Sequence, residues 1–462
     1  MKLLLTFALL LQIPCSLFGA QSSTPPPNII LIYLDDMGYG DIGCFGSKKN
    51  RTPNLDRMAA EGTKFTDFYV TSGVCTPSRA SLLTACYPRR LNLQVDQNQK
   101  WVLFPAARKG LNPKETTIAE ILKTRGYATT CIGKWHLGDH PNFLPTRHGF
   151  DSYFGIPYSN DMGRKKIPLP LLRNDTVIEA PVNQSTLTQR YTEEALSFIK
   201  TNQNKPFFLY LPHTCVHLPL FPGKEFKGQS ANGKYGDWIE EVDASTGEIL
   251  ASLKELGLDD NTLVIFTSDN GSNGRNGGSN APFKGNKGTT HEGGMRVPCV
   301  MRWPDHVPAG RTCRQLASTL DLMPSLVSLA GGSPPDDVPI DGLDLSQLIL
   351  GKTGQARPHL FYYHTTQLQA VRSGKWKLVL PQKIKFHGWS GKVENSPLEL
   401  FDLSKDPGES DNLADQHPEI VEKLRQLAEE ARADLGDGEL AGSGQRPAGW
   451  VEEASPRLLK SQ

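Results

Sequence analysis

No two cysteines in this chain stand in a C-x-x-C spacing. They lie scattered at Cys15, Cys44, Cys75, Cys86, Cys131, Cys215, Cys299 and Cys313, so a cysteine-built zinc or iron–sulfur centre is not expected. An exported chain could pair some of them as disulfides; those in apolar segments equally suit buried free thiols. Excess charge is missing too, since 50 basic and 49 acidic residues leave a formal net charge of +1. That balance argues against a polyanion-coating protein, so no nucleic-acid partner is expected, while a local basic pocket stays open. There is no internal repeat and no long disordered tract. Past Ala20, no apolar run is long enough to cross a bilayer.

What is present begins with an export signal. Lys2 precedes the apolar run Leu3 to Leu11, and Ser16-Leu17-Phe18-Gly19-Ala20 ends in a small residue before Gln21. A charged start, a short apolar stretch and a small residue at the cut describe a signal peptide over 1–20. A membrane anchor is the rival reading, but Gln12 and Pro14 interrupt the run. Lipidation of Cys15 fits poorly after Pro14. The protein is therefore expected to be exported: periplasmic or extracellular, or lysosome-like in a eukaryote.

At 462 residues the chain suits one large domain and a smaller one. Asn28 to Leu34, Pro206 to Leu211 and Thr262 to Thr267 are continuous apolar runs of the kind a parallel sheet buries on both faces. Helical patterns lie between them over 52–62, 114–125, 188–200 and 238–256. This alternation predicts an α/β fold with a large mixed, mostly parallel sheet between helices, spanning residues 21–350. After residue 350, short strands are expected over 359–363, 369–371, 376–380 and 398–402, then a helix over 419–435. Residues 351–462 thus read as a smaller α+β domain with an antiparallel sheet. The acidic residues crowding 402–439 read as a solvated helix face and loops.

The sharpest local signal is Cys75-Thr76-Pro77-Ser78-Arg79, followed by apolar residues that fit a helix. Pro77 suits a first turn, which sets Cys75 at a helix N-terminus, where free N–H groups and the dipole favour an anion. Arg79, one turn on, lies on the same side. Taken alone, the motif also fits a buried cysteine before a helix. Asp35-Asp36 and Asp269-Asn270 each end an apolar run, and ligands of open α/β sheets gather at the carboxyl ends of strands. Four oxygen-bearing side chains suit a hard cation, calcium or magnesium. Lys134 and His136, two apart, would point to one face of an extended chain. His213 and His217 follow the second apolar run, and Lys287 lies in a loop rich in Gly and Asn.

Cys75 to Arg79 resembles the sulfatase signature C-x-P-S-R, and Gly126 to His136 resembles the second signature of that family. Similarity runs through nearly the whole mature chain to Leu400-Phe401-Asp402-Leu403, in the manner of the arylsulfatase A and N-acetylgalactosamine-6-sulfatase group. Ala85-Cys86 departs from the pattern, where the family usually has Gly first. The resemblance implies that a formylglycine-generating enzyme oxidises Cys75 to formylglycine, whose hydrate attacks sulfur. It implies one calcium ion (Ca2+) held by Asp35, Asp36, Asp269 and Asn270 with residue 75. It also implies that Arg79 orients the hydrate, that Lys134 supports it and a sulfate oxygen, and that Asp269 takes a proton. His136 would hold the hydrate and act as base when sulfate leaves. His217 and Lys287 would bind sulfate, one or the other protonating the leaving oxygen, and Ser159 would bind substrate. His213 is balanced between structural and functional readings.

The expectation is hydrolysis of a sulfate ester, on a sulfated carbohydrate rather than a simple aryl sulfate. Two rivals are a phosphodiester or phosphonate monoester hydrolase with the same nucleophile, and a catalytically silent glycan-binding protein. Arg164-Lys165-Lys166 and Arg173 could meet neighbouring anionic sugars, though a solvated basic loop is the plainer reading.

Overall fold

Asn28–Leu34 is buried at every position, as a strand covered on both faces must be. It is the first of ten strands in the main sheet of the computed structural model. That model describes residues 25–164, 166–336, 338–382 and 397–459. The signal segment, Cys15 and Lys165 lie outside the described residues. In chain order the strands are β1 (Asn28–Leu34), β2 (Thr63–Phe65), β3 (Ala128–Ile132), β4 (Ser152–Gly155), β5 (Leu171–Arg173), β6 (Thr176–Glu179), β7 (Phe207–Pro212), β8 (Thr262–Ser268), β9 (Cys299–Arg302) and β10 (Arg311–Cys313). They lie side by side as β10-β2-β9-β8-β1-β7-β3-β4-β5-β6. The central five, β8-β1-β7-β3-β4, are all parallel. Antiparallel pairing is confined to the flanks, where β9 joins β8 to β2 and the β5–β6 hairpin follows β4.

Alternate residues feed two apolar layers. Ile29, Leu31 and Tyr33 of β1 face α2 (Cys75–Thr84), α3 (Ile118–Thr124) and, later in the chain, Leu322–Leu329. Ile30, Ile32 and Leu34 face α1 (Pro53–Ala60), α4 (Leu187–Thr201) and α5 (Gly233–Glu255). The helix expected from residue 114 begins at Ile118 because Thr117 caps it: its Oγ1 accepts from Glu120 N at 3.2 Å, and Glu120 Oε2 accepts from Thr117 N at 2.8 Å. The helix expected from 238 starts earlier, at Gly233, since its first turn carries no apolar pattern to reveal it.

Beyond these lie β11 (His359–His364), β12 (Gln367–Ser373), β13 (Trp376–Val379) and β14 (Glu399–Asp402), an antiparallel sheet in that order. The helix Pro418–Leu435 lays Val421, Leu424, Ala428, Ala431 and Leu435 against it, and Glu419, Glu422, Glu429 and Glu430 stay exposed as expected of a solvated face. Leu360, Tyr362, Leu378 and Leu400 join the same apolar layer as α2 and α3, so the C-terminal sheet is packed onto the α/β part. The described cysteines are free thiols, six buried and Cys44 partly so.

Candidate active site

The five central strands all run the same way, so their carboxyl ends open together, and each delivers something there. β1 ends in Asp35 and Asp36, β8 in Asp269 and Asn270, β3 in the turn to Lys134 and His136, β4 in the loop to Ser159, and β7 in the loop to His217. The helix α2 points its N-terminus at the same spot and starts with Cys75 itself. Lys287 comes from the long loop after β8.

The packing is tight. Arg79 gives two hydrogen bonds to Asp269 Oδ2, at 2.9 and 2.8 Å, and one to the Lys134 carbonyl at 2.8 Å. Lys134 Nζ donates to Asp35 Oδ2 at 2.5 Å and Ser159 Oγ at 3.2 Å. Lys287 Nζ lies 2.7 and 2.8 Å from the Asp36 carboxylate oxygens. Cys75 Sγ is 3.3 Å from Asp35 Oδ1. Asp35, Arg79, Lys134 and Asp269 are fully buried, and Cys75 is 1% exposed. His136 Nε2 donates to the Leu103 carbonyl at 2.9 Å, leaving its buried Nδ1 as an acceptor without a partner among the described residues. His217 Nδ1 lies 2.9 Å from Asn160 Oδ1 and 2.7 Å from the Leu218 carbonyl, while its Nε2 is 3.8 Å from Asp36.

Electrostatics follow from this crowding. Burial opposes ionisation of Asp35, yet Lys134, His217, Arg79 and Lys287 hold its carboxyl well below the usual range. Burial and the charge of Asp35 push Asp269 up to about 6 despite Arg79. Burial, then Asp269 and Asp35, drive the Cys75 thiol far above its ordinary value, so a thiolate is disfavoured here. Burial, Lys134 and Arg79 keep His136 neutral. Burial and Lys287 lower His217. Lys287 is held above its ordinary value by Asp36, Cys75 and Asp35, against the effect of burial.

Whether these residues fit a cation can be judged from the donors. Ligand atoms of Asp35, Asp36, Cys75 and His217 all lie within 4.8 Å of one another. Asp269 Oδ1 is bound to Asp36 N at 3.1 Å, Asn270 Nδ2 to Asp36 Oδ1 at 2.8 Å, and Asn270 Oδ1 is buried without a partner among the described residues. The proximity group includes His217 and leaves out Asp269 and Asn270. The oxygen set of the sequence reading is the better choice for a hard ion, which takes carboxylate and amide oxygens in preference to an imidazole nitrogen. Charge supports the fit: Asp35, Asp36 and Asp269 only balance Arg79, Lys134 and Lys287. A divalent cation among the carboxylates would relieve their repulsion and turn the site net positive for an anion.

Above this floor opens a cavity of about 740 Å³ lined by the apolar Val102, Phe104, Met162 and Leu218 and by the polar Asn273, Arg275, Lys284, Asn286 and His291. His136, Ser159, His217, Lys287 and Asp36 reach it from below. Sequence reasoning missed the apolar and polar lining and Asn160, since loop residues without a motif carry no signal.

Two expectations need correction. Lys134 and His136 do share the site, but not by strand alternation: Gly133 has φ 133° and His136 φ 64°, so the chain turns left-handed there. A Cβ on Gly133 would sit 1.9 Å from the Pro212 carbonyl oxygen, so only glycine allows that turn. Arg173 does not face the cavity; it pairs with Glu194 at 2.5 Å and stacks over the Phe154 ring. His213 does not line the cavity; it is buried, with both ring nitrogens unpartnered among the described residues.

Comparison with known proteins agrees with this geometry. A family model described as Sulfatase matches residues 27–333, and one described as N-sulphoglucosamine sulphohydrolase, C-terminal, matches 285–434. Arylsulfatase A of Homo sapiens is 41% identical over 447 residues, covering 87% of each chain. N-acetylgalactosamine-6-sulfatase of Canis lupus familiaris is 40% identical over 461 residues, covering 91% of this chain and 88% of its own. A solved structure from work on the metabolism of multiple glycosaminoglycans by Bacteroides thetaiotaomicron superposes with a TM-score of 0.79 at 30% identity, covering 88% of this chain and 100% of its own.

Proposed function

The chain belongs to the sulfatase family and hydrolyses sulfate esters; from that premise we propose that its substrate is a sulfated sugar or glycan. The observation that carries this reading is the meeting of Cys75, at the first turn of α2, with Arg79, Lys134, Lys287, His136 and His217 beneath one cavity. Two of the similar proteins point to glycans by name, an N-acetylgalactosamine-6-sulfatase and a structure from work on glycosaminoglycan metabolism. A lining that combines Phe104 and other apolar side chains with amide side chains suits a sugar ring, which offers one C–H face and a rim of hydroxyls.

Residue 75 is proposed to act as formylglycine, whose hydrated aldehyde supplies the nucleophilic oxygen that this buried thiol does not. Asp35, Asp36, Asp269 and Asn270 would hold one calcium ion beside it, which when bound neutralises a sulfate oxygen and polarises the ester. Arg79, clamped by Asp269 and the Lys134 carbonyl, orients the side chain of residue 75. Lys134, Lys287 and Ser159 hold the sulfate oxygens, giving fixed positive charge where negative charge builds up. Asp269 takes the proton of the attacking hydroxyl. His217 Nε2 faces the leaving oxygen. His136 Nδ1 takes a proton as sulfate departs.

Cys75 is almost wholly covered, so the converting enzyme must act on the chain before it folds. We assign export to residues 1–20, which puts the mature protein in the periplasm, outside the cell or in a lysosome-like compartment. Among the described residues no helix is long and apolar enough to cross a membrane. We further assign residues 21–350 to catalysis and 351–462 to its support.

The test is sulfate release from a panel of sulfated mono- and oligosaccharides, with an aryl sulfate, a phosphodiester and Cys75→Ala as controls. Release from one sugar class, lost in Cys75→Ala, is the expected result. Cleavage of the phosphodiester alone, or full activity in Cys75→Ala, would overturn it. The mass of the peptide holding residue 75 reports its conversion.

A further inference from the structure

Asn160 belongs to no motif, yet it is 2% exposed and makes its side-chain bonds to one short stretch, His217 to Pro219. Its Nδ2 donates to the His217 carbonyl at 3.3 Å and to the Pro219 carbonyl at 3.1 Å. Both partners are pure acceptors, so the end facing them must be the NH2 group, and the amide orientation is fixed independently of the imidazole. Oδ1 therefore faces His217 Nδ1, at 2.9 Å, and the Leu218 carbonyl faces the same nitrogen at 2.7 Å. Two acceptors on Nδ1 leave it only one role, donor. Ser159 Oγ sits 3.4 Å from both ring nitrogens and does not discriminate between them. The backbone of Asn160 is anchored in turn, its carbonyl accepting from Gln184 Nε2 at 3.2 Å.

We infer that Asn160 is a positioning residue: with the Leu218 carbonyl it holds the proton of His217 on Nδ1 and aims Nε2 into the sulfate-binding cavity. Any proton that His217 exchanges with a substrate passes through Nε2, because Nδ1 is occupied in both charge states. The orienting group is a neutral amide, so it fixes direction without adding a charge beside the carboxylates of the floor. The inference rests on the sulfatase reading for its kinetic consequence but not for its geometry.

The consequence falls on the leaving group. An ester of an acidic phenol departs without help, whereas a sugar hydroxyl needs a proton delivered in line, a contribution worth about a hundredfold or more. The experiment measures kcat and KM of the fully converted protein on aryl sulfates of graded phenol acidity and on a sugar sulfate. Asn160→Leu and Asn160→Asp are compared with the unmodified chain. Asn160→Leu is expected to lower kcat about a hundredfold on the sugar sulfate and less than about threefold on the most acidic phenol ester, with KM little changed. Asn160→Asp, which keeps an oxygen facing Nδ1, is expected to recover much of the loss. An equal fall across all esters, or none, overturns the inference. A second measurement uses the unmodified protein: 15N NMR of the His217 ring, identified by its absence in His217→Gln. Nδ1 is expected to carry hydrogen in both charge states and Nε2 only in the imidazolium that can protonate a leaving oxygen; a ring with hydrogen on Nε2 and a bare Nδ1 overturns the inference even if Asn160→Leu fails to fold. If the unmodified chain releases no sulfate from any ester, the proposed substrate chemistry falls, while the NMR result still decides the tautomer.

Discussion

Three carboxylates and three cations share a small, largely buried volume at the base of the cavity, and no one of them can be removed quietly. Taking Lys134 or Arg79 away leaves a buried carboxylate uncompensated, at a cost of about 3–5 kcal/mol, so variants here confound folding with catalysis. His213 offers a cleaner reading of burial at the single-residue scale. Burial alone pushes it down to about 3. The folded chain thus keeps it neutral while the unfolded chain protonates it below about 6.5, and stability is lost as pH falls from there toward 3. Each unit costs about 1.4 kcal/mol. We expect the unmodified protein to lose about 2 kcal/mol more than His213→Leu between pH 7.5 and 5, read by urea unfolding. Parallel losses would refute it. At this scale the sequence was legible wherever chemistry clusters in a motif: Cys75, Arg79, Lys134 and the acidic pairs all meet. It was silent on Asn160, Arg275 and His291, whose neighbours come from distant loops.

At the scale of elements, the loop carrying Lys287 is braced from behind. Lys377, on β13, donates to the Thr290 carbonyl at 2.8 Å and pairs with Glu292 at 3.1 Å and Glu409 at 2.8 Å. All three side chains are buried. Thr290 Oγ1 also reaches Gln369 of β12 at 2.8 Å. Burial opposes the charge of Glu409, but Lys377 and His291 hold its carboxyl down to about 2. Its stabilisation is therefore present above about pH 4.5 and fades as pH falls toward 2. Lys377→Met would leave buried Glu409 with only His291, at 3.4 Å, and Glu292 with only Arg296, at 3.6 Å, to offset their charge. The expected cost is about 3–5 kcal/mol at pH 7, shrinking at pH 4.5, with KM raised because the loop loosens. A pH-independent cost would speak against the brace. Glu409 was read as part of a solvated acidic stretch, and the structure corrects this, since composition cannot tell which member of such a stretch is covered. The apolar runs of β1, β7 and β8 were plain because burial on both faces leaves an unbroken pattern. β2, β5 and β10 have three residues each, too few to show any period.

For the whole molecule, layering and strand direction were legible, because alternating strands and helices permit few arrangements. The sharing of one apolar layer between the α/β part and the C-terminal sheet was not, since nothing local records which distant surface covers a strand. A ligand held only by the folded state stabilises it by mass action. Calcium is therefore expected to raise the unfolding temperature and a chelator to lower it, together with activity. Asp36→Asn should blunt both responses. An unfolding temperature indifferent to chelator would remove the ion from the scheme.

The cavity's floor and its walls come from different kinds of chain. The floor hangs from the ends of five locked strands, where a shift of one residue would disturb both apolar layers. The walls are loops around residues 102–104 and 273–286 that bear little of the core. Mutational tolerance should divide along that seam. A library confined to the walls could explore new substrates while inheriting an intact reaction centre, and the fold is thereby disposed to diversify by changing what it admits.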